Sequence, residues 1–353
     1  MPTTGKDFIG MSRQLKKSYR VIILRRIIFL AILTAVVVTT LGCISSPENK
    51  QPTENAMTLR IGYQPSTHQV AEMVAMDKGW WMQDLEPFGV TDVEEFEFPS
   101  GPPEMQAMLA DSLDVAYVGT APPITAISQG LDAKIVAAVN INGSDLVFKP
   151  GIAYNGPQSL VGLTIGTFPP GSIQDIVMKK WLEDNGIDAS QLKILPMGPG
   201  DAVTAISAGK VDGVFLPHPS PSIIDLSGKG RTVVSSGEMW PDHACCSLLV
   251  SGKLIREHPE LVAQIVRTHI NATNYVNSHQ EEAARIFANK TNQDLSVVER
   301  SMDTWDGRWI SDPHPQISST LEYALVDYQM NYTQKELKSG DLFDTSFYDG
   351  LKA

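Results

Sequence analysis

The most constraining feature of this chain is a strand–turn–helix unit that occurs twice. Pro99-Ser-Gly-Pro-Pro-Glu, a helical stretch and Ser112-Leu-Asp-Val-Ala-Tyr-Val return as Pro196-Met-Gly-Pro-Gly-Asp, a helical stretch and Gly209-Lys-Val-Asp-Gly-Val-Phe. The offset is 97 residues at the prolines and 98 at Asp114 and Asp212, so one residue is inserted between the copies. Chance reuse of a common unit and true equivalence of two halves both account for such a repeat. Either way, each half of the chain must hold a turn that opens a helix, a short strand, and another such turn.

The surrounding pattern agrees with that frame. Thr58 to Tyr63 reads as a strand, and His68 to Lys78 as a helix with Val70, Met73, Val74 and Ala75 on one face and Gly79 as its stop. A strand over 92–98, a helix over 103–110 and a strand over 114–118 follow. Strands alternating with helices predict an α/β fold with largely parallel sheets. Beyond Cys246 the pattern turns helical, over 258–276, 280–288, 295–301 and 316–337. With 353 residues the chain is long enough for two lobes with cores of their own.

The first residues read as a targeting segment. Lys6, Arg13, Lys16, Lys17, Arg20, Arg25 and Arg26 precede an uncharged apolar run from Ile27 to Leu41, shorter than the roughly 20 residues of a membrane span. Thr40-Leu41-Gly42-Cys43 then looks like a lipobox, with Cys43 as the acylated residue, although Thr40 stands where leucine is usual. An uncleaved N-terminal anchor is the competing reading. Residues 1–42 are therefore expected to be a signal peptide and 43–56 a polar tether, with the folded part on the outer face of the cytoplasmic membrane. Removing residues 1–42 takes away seven of 28 basic and one of 40 acidic residues, leaving 21 against 39 and a net charge of −18. So acidic a domain repels nucleic acid, which is not expected as a partner.

Five turns share one chemistry: Ser100-Gly-Pro-Pro, Gly119-Thr-Ala-Pro-Pro, Phe168-Pro-Pro-Gly-Ser-Ile, Met197-Gly-Pro-Gly-Asp and His218-Pro-Ser-Pro-Ser-Ile. Each puts small or proline residues at a helix start, where proline's missing N–H would have had no partner and Ser or Thr supplies a capping oxygen. Helix N-termini also carry partial positive charge and unpaired N–H groups, so several aimed at one crevice would hold a small anion without lysine or arginine. Ordinary capping explains any one turn equally well. Because Pro102, Pro103, Pro122 and Pro123 donate nothing, the donors there must be Ser100, Gly101, Thr120 and Ala121. Glu104 and Asp201, in the first turns, would compete with a bound anion. No catalytic constellation of the hydrolase, phosphate-loop or zinc-protease kind is present in the sequence.

Ile61-Gly-Tyr-Gln-Pro, Asp77-Lys-Gly-Trp-Trp, Phe98-Pro-Ser-Gly-Pro-Pro, Leu113-Asp-Val-Ala-Tyr-Val-Gly-Thr-Ala-Pro, Leu163-Thr-Ile-Gly-Thr, Gly209-Lys-Val-Asp-Gly-Val and Glu257-His-Pro-Glu-Leu-Val occur in that order. Together they resemble the solute-binding proteins of nitrate/taurine/sulfonate-type ABC transporters. The resemblance implies a two-lobed periplasmic-binding-protein-like α/β fold of type II, with a ligand cleft between lobes and a helical C-terminal part. It implies lobe 1 at 57–146 and 246–353, lobe 2 at 147–245, and a monomer that delivers its ligand to a permease and ATPase. It carries a pocket onto Gln64, His68, Ser100, Gly101, Gly119, Thr120, Thr167, Gly171 and Ser172, with His218, Trp240 and Cys246 as further candidates. His68 and His218 read equally well as solvent-facing loop histidines. Trp80 and Trp81 read as packing residues.

Trp240-Pro-Asp-His-Ala-Cys-Cys-Ser-Leu-Leu-Val leads into a strand in which Cys245 and Cys246 are expected to face opposite sides. Two buried thiols packing as small apolar groups is the reading taken; a vicinal disulfide and a metal site with His243 are the alternatives. Neither metal nor cofactor is expected, since two ligands on one short strand do not complete a tetrahedral set. The expected function is an importer's solute-binding subunit for a small anion such as a sulfonate, taurine or nitrate, not an enzyme. The alternative is an enzyme on the same fold, of the chorismate-dehydrating or pyrimidine-forming kind.

Overall fold

The computed structural model describes residues 57–352. The signal segment, Cys43 and the tether lie outside the described residues.

Eleven strands form two sheets among the described residues. They are β1 (Met57–Tyr63), β2 (Val90–Glu97), β3 (Val115–Gly119), β4 (Ala133–Ile141), β5 (Ser144–Phe148), β6 (Thr164–Thr167), β7 (Lys193–Pro196), β8 (Gly213–Pro217), β9 (Arg231–Ser235), β10 (Ala244–Ser251) and β11 (Arg308–Trp309). The first sheet has the order β11-β4-β10-β3-β1-β2 and the second β7-β6-β8-β5-β9. In the first, β1 runs parallel to β2 and β3, while β10 is antiparallel to β3 and β4. In the second, β6 runs parallel to β7 and β8, while β5 is antiparallel to β8 and β9. In the first sheet β11 is likewise antiparallel to β4, and in each sheet the strand by which the chain enters from the other, β10 or β5, runs against its neighbours. The chain passes to the second sheet at Asn142-Gly143 and returns between Ser235 and Ala244.

The internal repeat has a physical basis in this arrangement. Asp114 Oδ2 accepts the Arg60 N–H at 3.0 Å, and the Asp114 N–H donates to the Arg60 carbonyl at 2.9 Å. Asp212 Oδ2 accepts the Thr164 N–H at 2.8 Å, and the Asp212 N–H donates to the Thr164 carbonyl at 2.8 Å. Each aspartate therefore finishes the ladder between the two central parallel strands of its sheet, β1 with β3 and β6 with β8. The same carboxylates pair with Arg60 and Lys149 at 2.8 and 2.7 Å. The repeated aspartate serves the strand start, not a ligand.

Helices cover both sheets, and the inner strands β3, β4, β5, β8 and β10 are buried on both faces, while the edge strands β2, β7 and β9 are partly exposed. The second lobe has its own small core of Val147, Phe168, Ala202, Ile206, Val211, Val214, Leu216 and Ile224. Trp81 packs fully buried in the first, edge-on to Tyr117. The C-terminal helices run Pro259–Ser278, Gln280–Thr291, Leu295–Thr304 and His314–Gln329. The last is shorter than the periodicity predicts. Asn331 takes φ +60°, and the Tyr332 N–H turns back to the Asp327 carbonyl at 2.8 Å, which ends the helix despite the apolar spacing beyond it.

Candidate functional site

Three proline- or serine-led helices begin at the seam between the sheets: Gly101–Leu109 after β2, Ala121–Ser128 after β3 and Ile173–Asp184 after β6. Each follows the carboxyl end of a strand, where open α/β sheets bind ligands. Ser172 caps its helix by accepting the Asp175 N–H at 3.3 Å, and Asp175 Oδ2 in turn accepts the Gly171 N–H at 3.1 Å. Ser100 is buried in extended conformation and makes no side-chain cap, so its hydroxyl is not spent on its own helix.

A cavity of about 20 Å³ lies at this seam. Gln64, Ser66, His68, Gly101, Gly119, Pro122, Cys245 and Cys246 line it from the first sheet's side, and Phe168, Ser172, Ile173, Gln174 and Pro217 from the second. A neighbouring cavity of the same size shares Gln64, Ser66, Phe168 and Pro217 and adds His218. The space suits a single ion or water-sized group. A far larger surface hollow, about 720 Å³, sits on the outer helices among charged side chains such as His279, Glu282 and Arg285, away from the seam.

Six sequence-predicted residues meet at the cavity: Gln64, His68, Gly101, Gly119, Ser172 and Cys246. The others have different surroundings. Thr120 Oγ1 lies 2.8 Å from Ser247 Oγ and donates to the Cys245 carbonyl at 3.2 Å. Thr167 donates to the Phe215 carbonyl at 2.9 Å. Gly171 takes the left-handed φ of +80° that its turn needs, and Ala121 is buried at its helix start. Trp240 packs edge-on against Tyr323 with Lys180 above its ring, and lines neither cavity.

The histidines are not solvent-facing loop residues. His68 and His218 are each 1% exposed. His218 is held between Ser301 Oγ at 3.0 Å and Asp145 Oδ2 at 3.1 Å. His68 Nε2 donates to the Gly143 carbonyl at 2.7 Å, and its Nδ1 lies 3.2 Å from Cys245 Sγ and 3.9 Å from Cys246 Sγ. That contact corrects two expectations. Cys245 and Cys246 do not face opposite sides, because the register against β4 slips between Ala244 and Cys246. The bulge places both thiols on one side, their sulfurs 3.9 Å apart and unbonded. The histidine beside them is His68, whereas His243 turns its Nδ1 to Tyr323 Oη at 2.9 Å and is held neutral by burial, down to about 4.

The neighbouring Cys245 thiol draws Cys246 down, while burial drives Cys245 up. Glu104 is fully buried behind the cavity and accepts from Gln64 Nε2 at 2.8 Å. Burial drives its carboxyl well above the ordinary range, which favours the uncharged form.

Sequence reasoning missed Gln174, Phe168 and Ile173 in the lining, although Ile173 and Gln174 directly follow Ser172 at a singled-out helix start. It also missed Asp306. This carboxylate accepts the Gly143 N–H at 2.9 Å and the Gly237 N–H at 2.6 Å, tying together the two passages between the sheets. No motif marks it.

Residues 52–290 match the NMT1-like family. The chain belongs to the NMT1-like family. Among curated proteins this NMT1-like chain is 26% identical over 325 residues to an aliphatic sulfonates-binding protein of Bacillus subtilis, covering 90% of this chain and 95% of that protein. It is 22% identical over 324 residues to the nitrate/nitrite binding protein NrtA of a Nostoc strain, covering 80% and 73%. Among solved structures it matches the alkanesulfonate-binding protein SsuA of Xanthomonas axonopodis pv. citri bound to MOPS, with a TM-score of 0.72 at 21% identity over 81% of this chain and 98% of that one. The nitrate-binding protein NrtA of Synechocystis gives a TM-score of 0.72 at 15% identity, over 84% and 88%. The fold is that of these two-sheet solute-binding proteins, as the sequence resemblance implied. These four relatives are named as sulfonate- or nitrate-binding proteins.

Proposed function

We propose that this chain is the solute-binding subunit of an ABC importer and holds a small anion, such as a sulfonate, taurine or nitrate, between two lobes. The observation that carries the reading is the cavity at the seam, where three helix N-termini from both sheets converge and no lysine or arginine contributes. First-turn N–H groups and the positive ends of helices can hold an anion without side-chain cations. The lobes follow the two sheets, so the expected boundaries at 146/147 and 245/246 shift to the starts of β5 and β10, giving 57–143 with 244–353 and 144–243, and the lobes move about the two passages that Asp306 joins. The pocket set is Gln64, His68, Ser100, Gly101, Gly119, Thr120, Ala121, Thr167, Gly171, Ser172, His218 and Cys246. Of these, Ser100, Thr120, Ala121, Thr167 and Gly171 act by setting the turns. Trp240 belongs to the rim.

Residues 1–42 export the chain, and Cys43 or the apolar run before it holds it at the outer face of the cytoplasmic membrane. There the monomer hands its ligand to a permease and its ATPase. A thermal-shift panel of nitrate, sulfate, taurine, alkanesulfonates, bicarbonate and pyrimidines tests the binding reading. One anion should raise the melting temperature without being consumed. No shift with any anion refutes it, and formation of a product favours an enzyme on the same fold. Loss of membrane association in Cys43→Ser is expected, and firm retention refutes lipid anchoring.

A further inference from the structure

We propose that His68, Cys245 and Cys246 form a binding site for one closed-shell thiophilic metal ion, Cu(I) or Zn(II), at the floor of the cleft. The three ligand atoms lie within 4.8 Å of one another, and all three side chains are buried. At Zn–S of about 2.3 Å and Zn–N of about 2.0 Å, ligand atoms around one ion lie roughly 3.5–4.0 Å apart. Here the separations are 3.2, 3.9 and 3.9 Å, so an ion can be seated with shifts of a few tenths of an ångström.

Two thiols packing as apolar groups would not require what surrounds them. His68 is fixed through its other nitrogen by the Gly143 carbonyl, the orientation that outer-shell acceptors impose on metal-bound histidines. The Cys246 N–H is held by Asn140 Oδ1 at 3.1 Å, and Gln69 Nε2 approaches Cys246 Sγ at 3.7 Å. The bulge at Cys245 supplies the remaining condition, since a regular strand would turn the two sulfurs to opposite faces. Thiolate and imidazole together select soft or borderline ions over magnesium or calcium. The cavity also has the size of one ion and opens beside all three ligands.

Because Gly143 belongs to the passage between the sheets, an ion held by His68 also braces the hinge. Binding releases thiol protons to solvent, so apparent affinity should rise with pH. The proposal stands on these three side chains and does not depend on the transport reading.

The test uses the full chain, reduced, stripped with a chelator and kept anaerobic. One arm receives zinc, and the other receives Cu(I) buffered by a competing chelating dye. Retention of about one ion per chain after gel filtration is expected, and the arm that retains it identifies the ion. X-ray absorption on the wild-type chain should show two sulfur neighbours and one nitrogen. Cys245→Ser, Cys246→Ser and His68→Gln should each weaken retention by at least roughly 100-fold, beyond what outer-shell changes cause. Cys43→Ser should retain the ion. Retention in neither arm overturns the proposal, as does a wild-type spectrum without sulfur or an unchanged stoichiometry in Cys245→Ser/Cys246→Ser. These readouts count ions rather than solute, so their failure leaves the transport reading standing, and the reverse also holds.

Discussion

Replacing Gly143 by alanine measures how firmly the passage between the sheets is locked. Its φ is +96°, and an added Cβ would lie 2.6 Å from Trp305 Cε3 and 2.8 Å from His68 Nε2. Holding a non-glycine residue in such a conformation costs roughly 1–3 kcal/mol. The overlap adds roughly 1–3 kcal/mol, as overpacking of a well-filled site generally does. Trp305 has little room to retreat, because it packs against Trp309 at 4.7 Å between ring centroids. The sum, about 2–6 kcal/mol, is large beside a total stability of about 5–15 kcal/mol. Gly228→Ala is the internal standard: its φ is +66° with nothing within 4 Å of the added Cβ, so only the conformational cost of roughly 1–2 kcal/mol remains. Urea unfolding of both variants reads the difference as a lower midpoint at unchanged slope. If Gly143→Ala costs no more than Gly228→Ala, the steric argument fails. Gly143→Ala should also weaken binding at the cleft, because it pushes His68 off the carbonyl that orients it.

Asp306→Ala leaves the N–H groups of Gly143 and Gly237 without their carboxylate. It should cost on the order of 2–5 kcal/mol, partly recovered in Asp306→Asn, as thermal melting would show. Asp327 is held up to about 7 by burial, with Asp175 adding to it, against an ordinary value of 3.8. A raised carboxyl contributes its stability below the unfolded pKa and loses it as pH rises through the folded one. Stability should therefore fall between about pH 4 and 7, and Asp327→Asn should remove that slope and gain up to about 4 kcal/mol at pH 8. An Asp327→Asn protein with the wild-type pH profile in urea titrations refutes the assignment. Thr120→Ala breaks contacts to Ser247 and the Cys245 carbonyl, so it should lower stability by about 1 kcal/mol while solute affinity stays within a few-fold. Ser172→Ala removes a cap and a cavity-lining hydroxyl, so calorimetry should find both stability and affinity lowered.

The features legible in the sequence are those with a local cause. The order of strands and helices follows from apolar periodicity, and the helix starts from prolines and small polar residues that tolerate few other positions. Asp114 and Asp212 betray the equivalence of the two halves because each sheet needs the same ladder finished at the same place. Gly101, Gly119 and Ser172 could be found because they sit at those starts, whereas Gln64 and His68 are reached only through the family resemblance. The helix expected over 316–337 shows the limit of this reasoning, since the spacing continues past Gln329 while the backbone turns at Asn331.

The tertiary structure alone decided the rest. His68 stands 177 residues before Cys245, and only the pairing of β10 with its neighbours brings them together. The slip of register against β4 between Ala244 and Cys246 puts both sulfurs on one side, an event invisible in a run of seven buried residues from Ala244 to Val250. Asp306 binds both passages from a C-terminal loop with no motif of its own, and Trp240 packs edge-on against Tyr323. Local sequence sets what each segment becomes because backbone preferences act over a few residues. Which side chains converge depends on register and crossing, which are summed over the whole chain.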